Sequence, residues 1–175
     1  MTRAQSQNRI RYRFLIAVLA YVSATTGTRA QSDTCVLVPE GRSTWRVLRC
    51  GSNITLSVAA GTSYQPDTAN QHPSVQLQSG ALLMDFHPTA KQRDFQVLTP
   101  VAIAAVRGTT WAVEVTTERS STLVFTGRVA VRRRNGAGVV TLGPGQGVDV
   151  MATGPLTVRR WAPERVRALL ARFGR

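Results

Sequence analysis

The sequence predicts an all-β fold, two facing antiparallel sheets in a sandwich or solenoid-like winding, with one short C-terminal α-helix. Three observations carry the expectation. Apolar residues recur at every second position in short runs, as in Ile54-Thr55-Leu56-Ser57-Val58, which is the period of a half-buried strand. Glycine-bearing corners, Gly80, Gly127 and Gly145 among them, separate the runs, and glycine takes positive φ without steric cost. A helical period of apolar residues occurs only after Pro163.

The N-terminus has the pattern of a signal peptide over residues 1–30. Arg3, Arg9, Arg11 and Arg13 precede the apolar run Phe14 to Val22, and Thr28-Arg29-Ala30 offers small residues where a signal peptidase cuts, between Ala30 and Gln31. The run is shorter than the roughly 20 apolar residues of a spanning helix. An uncleaved signal anchor, holding the chain in the inner membrane, is the alternative. The expected location is the bacterial periplasm. Five of the 22 basic residues (Arg3, Arg9, Arg11, Arg13 and Arg29) lie in the leader and none of the nine acidic ones does, so processing lowers the net charge from +13 to +8. An exported chain does not meet nucleic acid; its basicity suits solubility or peripheral contact with an anionic membrane surface. The expected domain spans 31–162, followed by an amphipathic helix over 163–175.

Cys35 and Cys50 are the two cysteines, an even number that predicts a disulfide in an exported protein. A loop of this size is worth about 3 kcal/mol by the chain-entropy estimate. Strands are expected at Cys35 to Val38, Trp45 to Cys50 and Asn53 to Val58. Residues 62–73, with Pro66, Asp67, Asn70 and Pro73, predict a surface loop. Ser74 to Phe86 reads as strand, Gly80 corner, strand, with Val75 and Leu77 on one face and Leu82, Met84 and Phe86 sharing a face after the corner. Residues 87–93 are a polar connection. Val101 and Ile103 share a face, Trp111, Val113 and Val115 form a second run, and Gly108 is the bend between them. Arg132-Arg133-Arg134-Asn135-Gly136 predicts a hairpin with positive φ at both Asn135 and Gly136. The three arginines make a basic tip, either a solvated end that guards a sheet edge or a contact for an anionic partner. In the final helix Val166, Leu169, Leu170 and Phe173 fall on one stripe, to be covered by the chain's own sheet, a partner or a membrane surface.

The block Phe95 to Val150 resembles the FecR-type domain. The matching pieces are Thr99-Pro100, Ala102 through Thr109, Trp111-Ala112-Val113, Val124 to Val131 around Gly127, and Val140 to Gln146. With the preceding strand pair, the resemblance spans roughly residues 74–150. It implies a compact all-β module in which Thr99, Pro100, Val106, Arg107, Gly108, Thr109 and Gly127 are structural motif positions. In iron-transport regulators of that family the module lies in the periplasm and relays a signal from an outer-membrane transporter to a cytoplasmic sigma factor. Here 13 residues precede Phe14, too few for a sigma-binding domain, and no transporter-clasping domain is expected after the module. The expectation is therefore a stand-alone exported module.

No catalytic constellation emerges. His72 and His87 stand singly beside prolines, Asp85, Asp94 and Asp149 are not paired by spacing, and no serine lies in Gly-x-Ser-x-Gly. Gly143 to Gly147 lacks the lysine and helix of a phosphate-binding loop. No enzyme activity, cofactor or metal is expected. Two function classes follow. The first is a non-catalytic periplasmic module for envelope signalling or protein–protein interaction, meeting an envelope or membrane protein through its sheet edges, the arginine hairpin or the helical stripe. The second is a ligand-binding module for a cell-wall glycan or an iron chelate, using the loops 62–73 and 87–93.

Overall fold

The computed structural model describes residues 35–38, 45–50, 52–67, 73–88 and 94–175. The expected leader and its cleavage point, the corner at 39–41, and the loop segments 68–72 and 89–93 lie outside the described residues, as does His72. Among the described residues thirteen strands and one helix follow in order: β1 (Cys35–Val38), β2 (Arg46–Cys50), β3 (Ile54–Val58), β4 (Ser63–Asp67), β5 (Ser74–Phe86), β6 (Phe95–Leu98), β7 (Ala102–Val106), β8 (Thr109–Val115), β9 (Ser120–Thr126), β10 (Val129–Arg133), β11 (Val139–Leu142), β12 (Gln146–Val150), β13 (Val158–Arg160) and α1 (Pro163–Ala171).

The strands form one nearly closed, barrel-like sheet rather than two separate facing sheets, which corrects the architecture expected from sequence. Its main path runs β11-β10-β7-β6-β5-β8-β9-β12-β13, with β3, β2 and β1 branching from β5 and β4 pairing β5. The cause is β5. Gly80, at φ 95°, bends this 13-residue strand without ending it, so its first half pairs β4 and β6 and its second half pairs β3 and β8. The ladder therefore stays continuous through the corner. The β5–β6 pair is parallel, against the expectation of antiparallel pairing throughout. A parallel return needs a long crossover; the second half of β5 and residues 87–94 provide it.

Two further expectations are corrected. Within 62–73, residues 63–67 are strand β4, not loop. Among the described strands β4 pairs β5 alone, and such an edge strand tolerates Pro66, whose missing N–H no second described strand calls on. The turn after β10 is not the two-residue type: Gly136 and Gly138 take positive φ, while Asn135 does not. The connection is five residues long, so asparagine need not enter the left-handed region. The short strand β13 carries too few apolar residues to be read from sequence.

Inward-facing side chains from both halves of the sheet fill the main core. Leu56, Leu77, Leu82, Met84, Trp111, Val113, Val124, Val129, Val131 and Leu142 are all fully buried there. The Cys35–Cys50 disulfide joins directly opposed positions of β1 and β2.

A second apolar cluster lies on the outer face, under α1. Pro163 at the helix start and Glu164 in its first turn fit the positive end of the dipole. Leu169 and Phe173 are buried against Ala59, Ala81, Leu83, Ala112, Leu123 and Trp161, with Val166 and Leu170 half-covered at the margin. Beneath the helix a row of registered residues runs Ser57–Leu83–Ala112–Leu123–Gly147 across five strands, small and large in alternation. Glycine is needed at 147 because Trp161 lies on it: a Cβ there would stand 2.2 Å from the indole Nε1 and 2.7 Å from the Thr122 carbonyl oxygen.

Candidate interaction surfaces

The family-motif residues serve as turn builders. Thr99 closes the β6–β7 turn. Its Oγ1 donates to the Ala102 carbonyl at 3.0 Å and accepts from the Ala102 N–H at 2.9 Å and from the Ser120 hydroxyl at 2.8 Å. Pro100 is exposed at the tip of that turn. Gly108 makes the β7–β8 corner at φ 68°. Gly127, at φ 80°, packs directly on it: a Cβ on Gly127 would lie 2.4 Å from the Gly108 carbonyl oxygen and 2.6 Å from Thr109 Cγ2. Val106 and Thr109 are buried beside this contact, and Arg107 is exposed.

The three hairpin arginines have three different environments. Arg132 is exposed. Arg133 is 6% exposed, which removes it from the basic tip expected from sequence. Its guanidinium donates to the carbonyls of Met151 and Gly154, satisfying a buried charge and pinning the loop after β12. Period-2 alternation explains the difference, since Val129, Val131 and Arg133 face inward. Arg134 donates from Nη1 to the Thr99 carbonyl at 3.0 Å and from its backbone N–H to the Val101 carbonyl at 2.9 Å. The hairpin and the Thr99-Pro100 turn thus enclose an open cleft of about 360 Å³ lined by Pro100, Val101, Arg133, Arg134, Asn135 and Ala152.

The helical stripe Val166, Leu169, Leu170 and Phe173 is occupied by the chain's own sheet, so it is not an open partner surface. Two ion pairs hold the helix in place. Arg165 bonds both carboxylate oxygens of Asp149, at 2.9 and 2.5 Å, and Arg172 bonds Glu114 at 2.6 Å. Glu114, Ser121 and Asp149 stand in one row across β8, β9 and β12. Seven residues of helix rise about 10.5 Å, and two strand spacings are about 9.6 Å. The arginine spacing therefore matches the carboxylate spacing, and the helix crosses the strands. Arg165 also stacks 3.5 Å from the centroid of the Trp161 ring. Burial alone would raise the Asp149 pKa, but hydrogen bonds from Arg165 and Ser121 and the charges of Arg165 and Arg119 outweigh it and hold the carboxyl below its ordinary value of 3.8. The helical stripe read from sequence, Val166, Leu169, Leu170 and Phe173, does not include Arg165 or Arg172, and the clamp was not foreseen. The outward carboxylates of β8 and β12 were the available signal.

Elsewhere, His87 is exposed, with Nε2 3.4 Å from Asp85. Among the described residues no group of three or more His, Cys, Asp or Glu side chains could hold a metal ion, and no helix is long and apolar enough to cross a membrane. Among the described residues no helix covers the outer face of β6, β7, β10 and β11. A shallow cleft of about 280 Å³ runs over it, lined by Asp94, Ala105, Val106, Arg107, Arg128, Ala130 and Thr141.

Comparison with known proteins agrees with this architecture. The sequence model of the family "FecR protein" matches residues 36–130. The match begins earlier than the resemblance read from motifs, taking in β1 to β3, and ends within β10. Two crystal structures of a candidate anti-sigma factor from Parabacteroides distasonis ATCC 8503 are similar in fold. One has 21% identity and a TM-score of 0.58, covering 78% of this chain and 59% of that one. The other has 19% identity and a TM-score of 0.63, covering 78% and 65%. The chain thus spans less than two thirds of the length of either structure. No curated protein matches the sequence.

Proposed function

The chain belongs to the FecR protein family, and from that membership we propose that it is a non-catalytic interaction module of the bacterial envelope, acting in signalling from the periplasm. The observation that carries this reading is the use of the motif residues. Thr99, Gly108, Thr109 and Gly127 fix turns, and α1 is clamped on its own sheet. The product is a stiff scaffold with an open sheet face, suited to hold a partner protein. The basic leader and apolar run before Ala30 support export. The candidate anti-sigma factor of similar fold favours a regulatory pathway as the setting.

In-cell photo-crosslinking tests the reading. A photoreactive side chain at position 132 or 141, on the open face, is expected to capture one discrete envelope protein, and the same group at position 175 is not. Absence of an adduct from either face position would refute it. A second reading, a ligand-binding module for a cell-wall glycan or iron chelate, is favoured by the cleft of about 360 Å³ beside Pro100 and Arg134. A rise in melting temperature of several degrees with muropeptides or ferric chelates, lost on Arg134→Ala, would support it.

A further inference from the structure

The outer face of β6, β7, β10 and β11 carries arginines that pair with no carboxylate among the described residues. Three rows cross β6, β7, β10 and β11 on the outer face. The middle row is Gln96–Ala105–Ala130–Thr141, and the row beside the hairpin is Leu98–Ile103–Arg132–Val139. At the other end, one residue beyond the last registered pairs Phe95–Val106 and Val106–Val129, stand Asp94, Arg107 and Arg128. Arg107, Arg128 and Arg132 are exposed, and none makes an ion pair among the described residues. Arg107 and Arg128 face each other across neighbouring strands, where like charges repel. Asp94 lines the same cleft but lies within ion-pair distance of neither.

We infer that this face is the docking surface for an acidic segment of a partner protein, laid over the small side chains between Arg107–Arg128 and Arg132. The inference rests on the interaction role proposed above and names its surface and the chemistry of its partner. The other half of the sheet shows how such a face is covered. There the sheet supplies the carboxylates of Glu114 and Asp149 and the covering helix supplies the arginines. Here the sheet supplies the arginines, so the covering segment supplies carboxylates, with one set near Arg107 and Arg128 and another about 14 Å away at Arg132, four strand residues on. Among the described carboxylates, Asp149 and Glu114 are engaged by Arg165 and Arg172 on the other half of the sheet and Asp85 stands beside His87, so these are committed elsewhere. A second copy would bring the same arginines and be repelled. An anionic membrane fits less well, because interfacial binding uses protruding aromatic and large apolar side chains, and the strongly exposed large apolar residue on this face is Val139 alone.

The test uses the full chain and a fluorescein-labelled 16-residue Ala/Leu/Glu helix, with its Lys counterpart and phosphatidylglycerol vesicles as comparisons. The Glu peptide binds by anisotropy at low salt and the Lys peptide does not. Arg107→Gln/Arg128→Gln weakens binding about tenfold, the scale of two rim charge pairs. Arg167→Gln/Arg175→Gln, equal in charge and on the other side of the sheet, leaves it within about twofold. Equal weakening by both double variants, no binding of the Glu peptide, or sensitivity of vesicle binding alone would overturn the inference. Capture of the crosslinked envelope partner unchanged in the Arg107→Gln/Arg128→Gln variant would remove this surface while leaving the interaction role standing.

Discussion

Phe173→Ala is the most direct probe of whether the chain covers its own sheet. Phe173 is fully buried, with Leu169 one turn before it, against Leu83, Leu123, Trp161 and three alanines. Truncating a phenylalanine in a fixed core costs about 3–5 kcal/mol, from lost transfer energy and the cavity left behind. Phe173 sits in the smaller outer cluster, with Val166 and Leu170 only half-covered at its margin, so the low end, about 3 kcal/mol, is expected. For a domain of this size that lowers the melting temperature by about 6–12 °C. Arg167→Ala, on the exposed side of the same helix, is expected to stay within about 0.5 kcal/mol of the parent. Thermal unfolding by circular dichroism reads the stability. Limited trypsinolysis with mass spectrometry reads docking, because an undocked helix exposes Arg165, Arg167 and Arg172 to cleavage. A Phe173→Ala protein that melts within about 1 °C of the parent and is trimmed no faster at its C-terminus would refute the docked helix and reopen the stripe as a partner surface.

Two other predictions concern charge and backbone. A carboxyl whose folded pKa is lowered adds stability above its unfolded value, and that contribution is lost as pH falls from about 3.8 through the folded value. Because Asp149 and Arg165 are each about one-third exposed, Asp149→Asn should cost only about 0.5–1 kcal/mol at pH 7, with the gap narrowing as pH falls below the unfolded value; urea unfolding at pH 3, 5 and 7 measures it, and a gap independent of pH would contradict the assignment. Gly127→Ala and Gly136→Ala share a positive φ, at 80° and 83°, but only the first meets backbone, at 2.4 Å from the Gly108 oxygen. Gly136→Ala should cost about 1 kcal/mol, Gly127→Ala about 2–4 kcal/mol; equal melting temperatures for the two variants would contradict the interlocked corners.

Local signals made most of the elements legible. Alternation in Ile54 to Val58 and Leu82 to Phe86 placed the core face of β3 and β5, glycine marked the corners at 80, 108, 127 and 145, and the stripe after Pro163 marked the helix. The resemblance around Val106-Arg107-Gly108-Thr109 led to the family. β4 was hidden because Pro66 argues against a strand unless its edge position is known. The candidate surface was half legible: Arg132 stood out, but Arg107 and Arg128 lie 21 positions apart in the chain and meet only through the β7–β10 register.

By itself the sequence determined which side chains share a face, because pleat and helix periods are local and fixed by backbone sterics. It also determined where the chain can turn, because positive φ selects glycine. Only the tertiary structure decided what covers each face. It made one sheet from the strands on both sides of Gly80, placed Arg133 inside beneath two carbonyls, set Arg165 and Arg172 on Asp149 and Glu114, and brought Arg107 and Arg128 to one end of the outer face of β6, β7, β10 and β11. The physical reason is register: pairing distant strands sets which charges and which small residues become neighbours, and no local period carries that information.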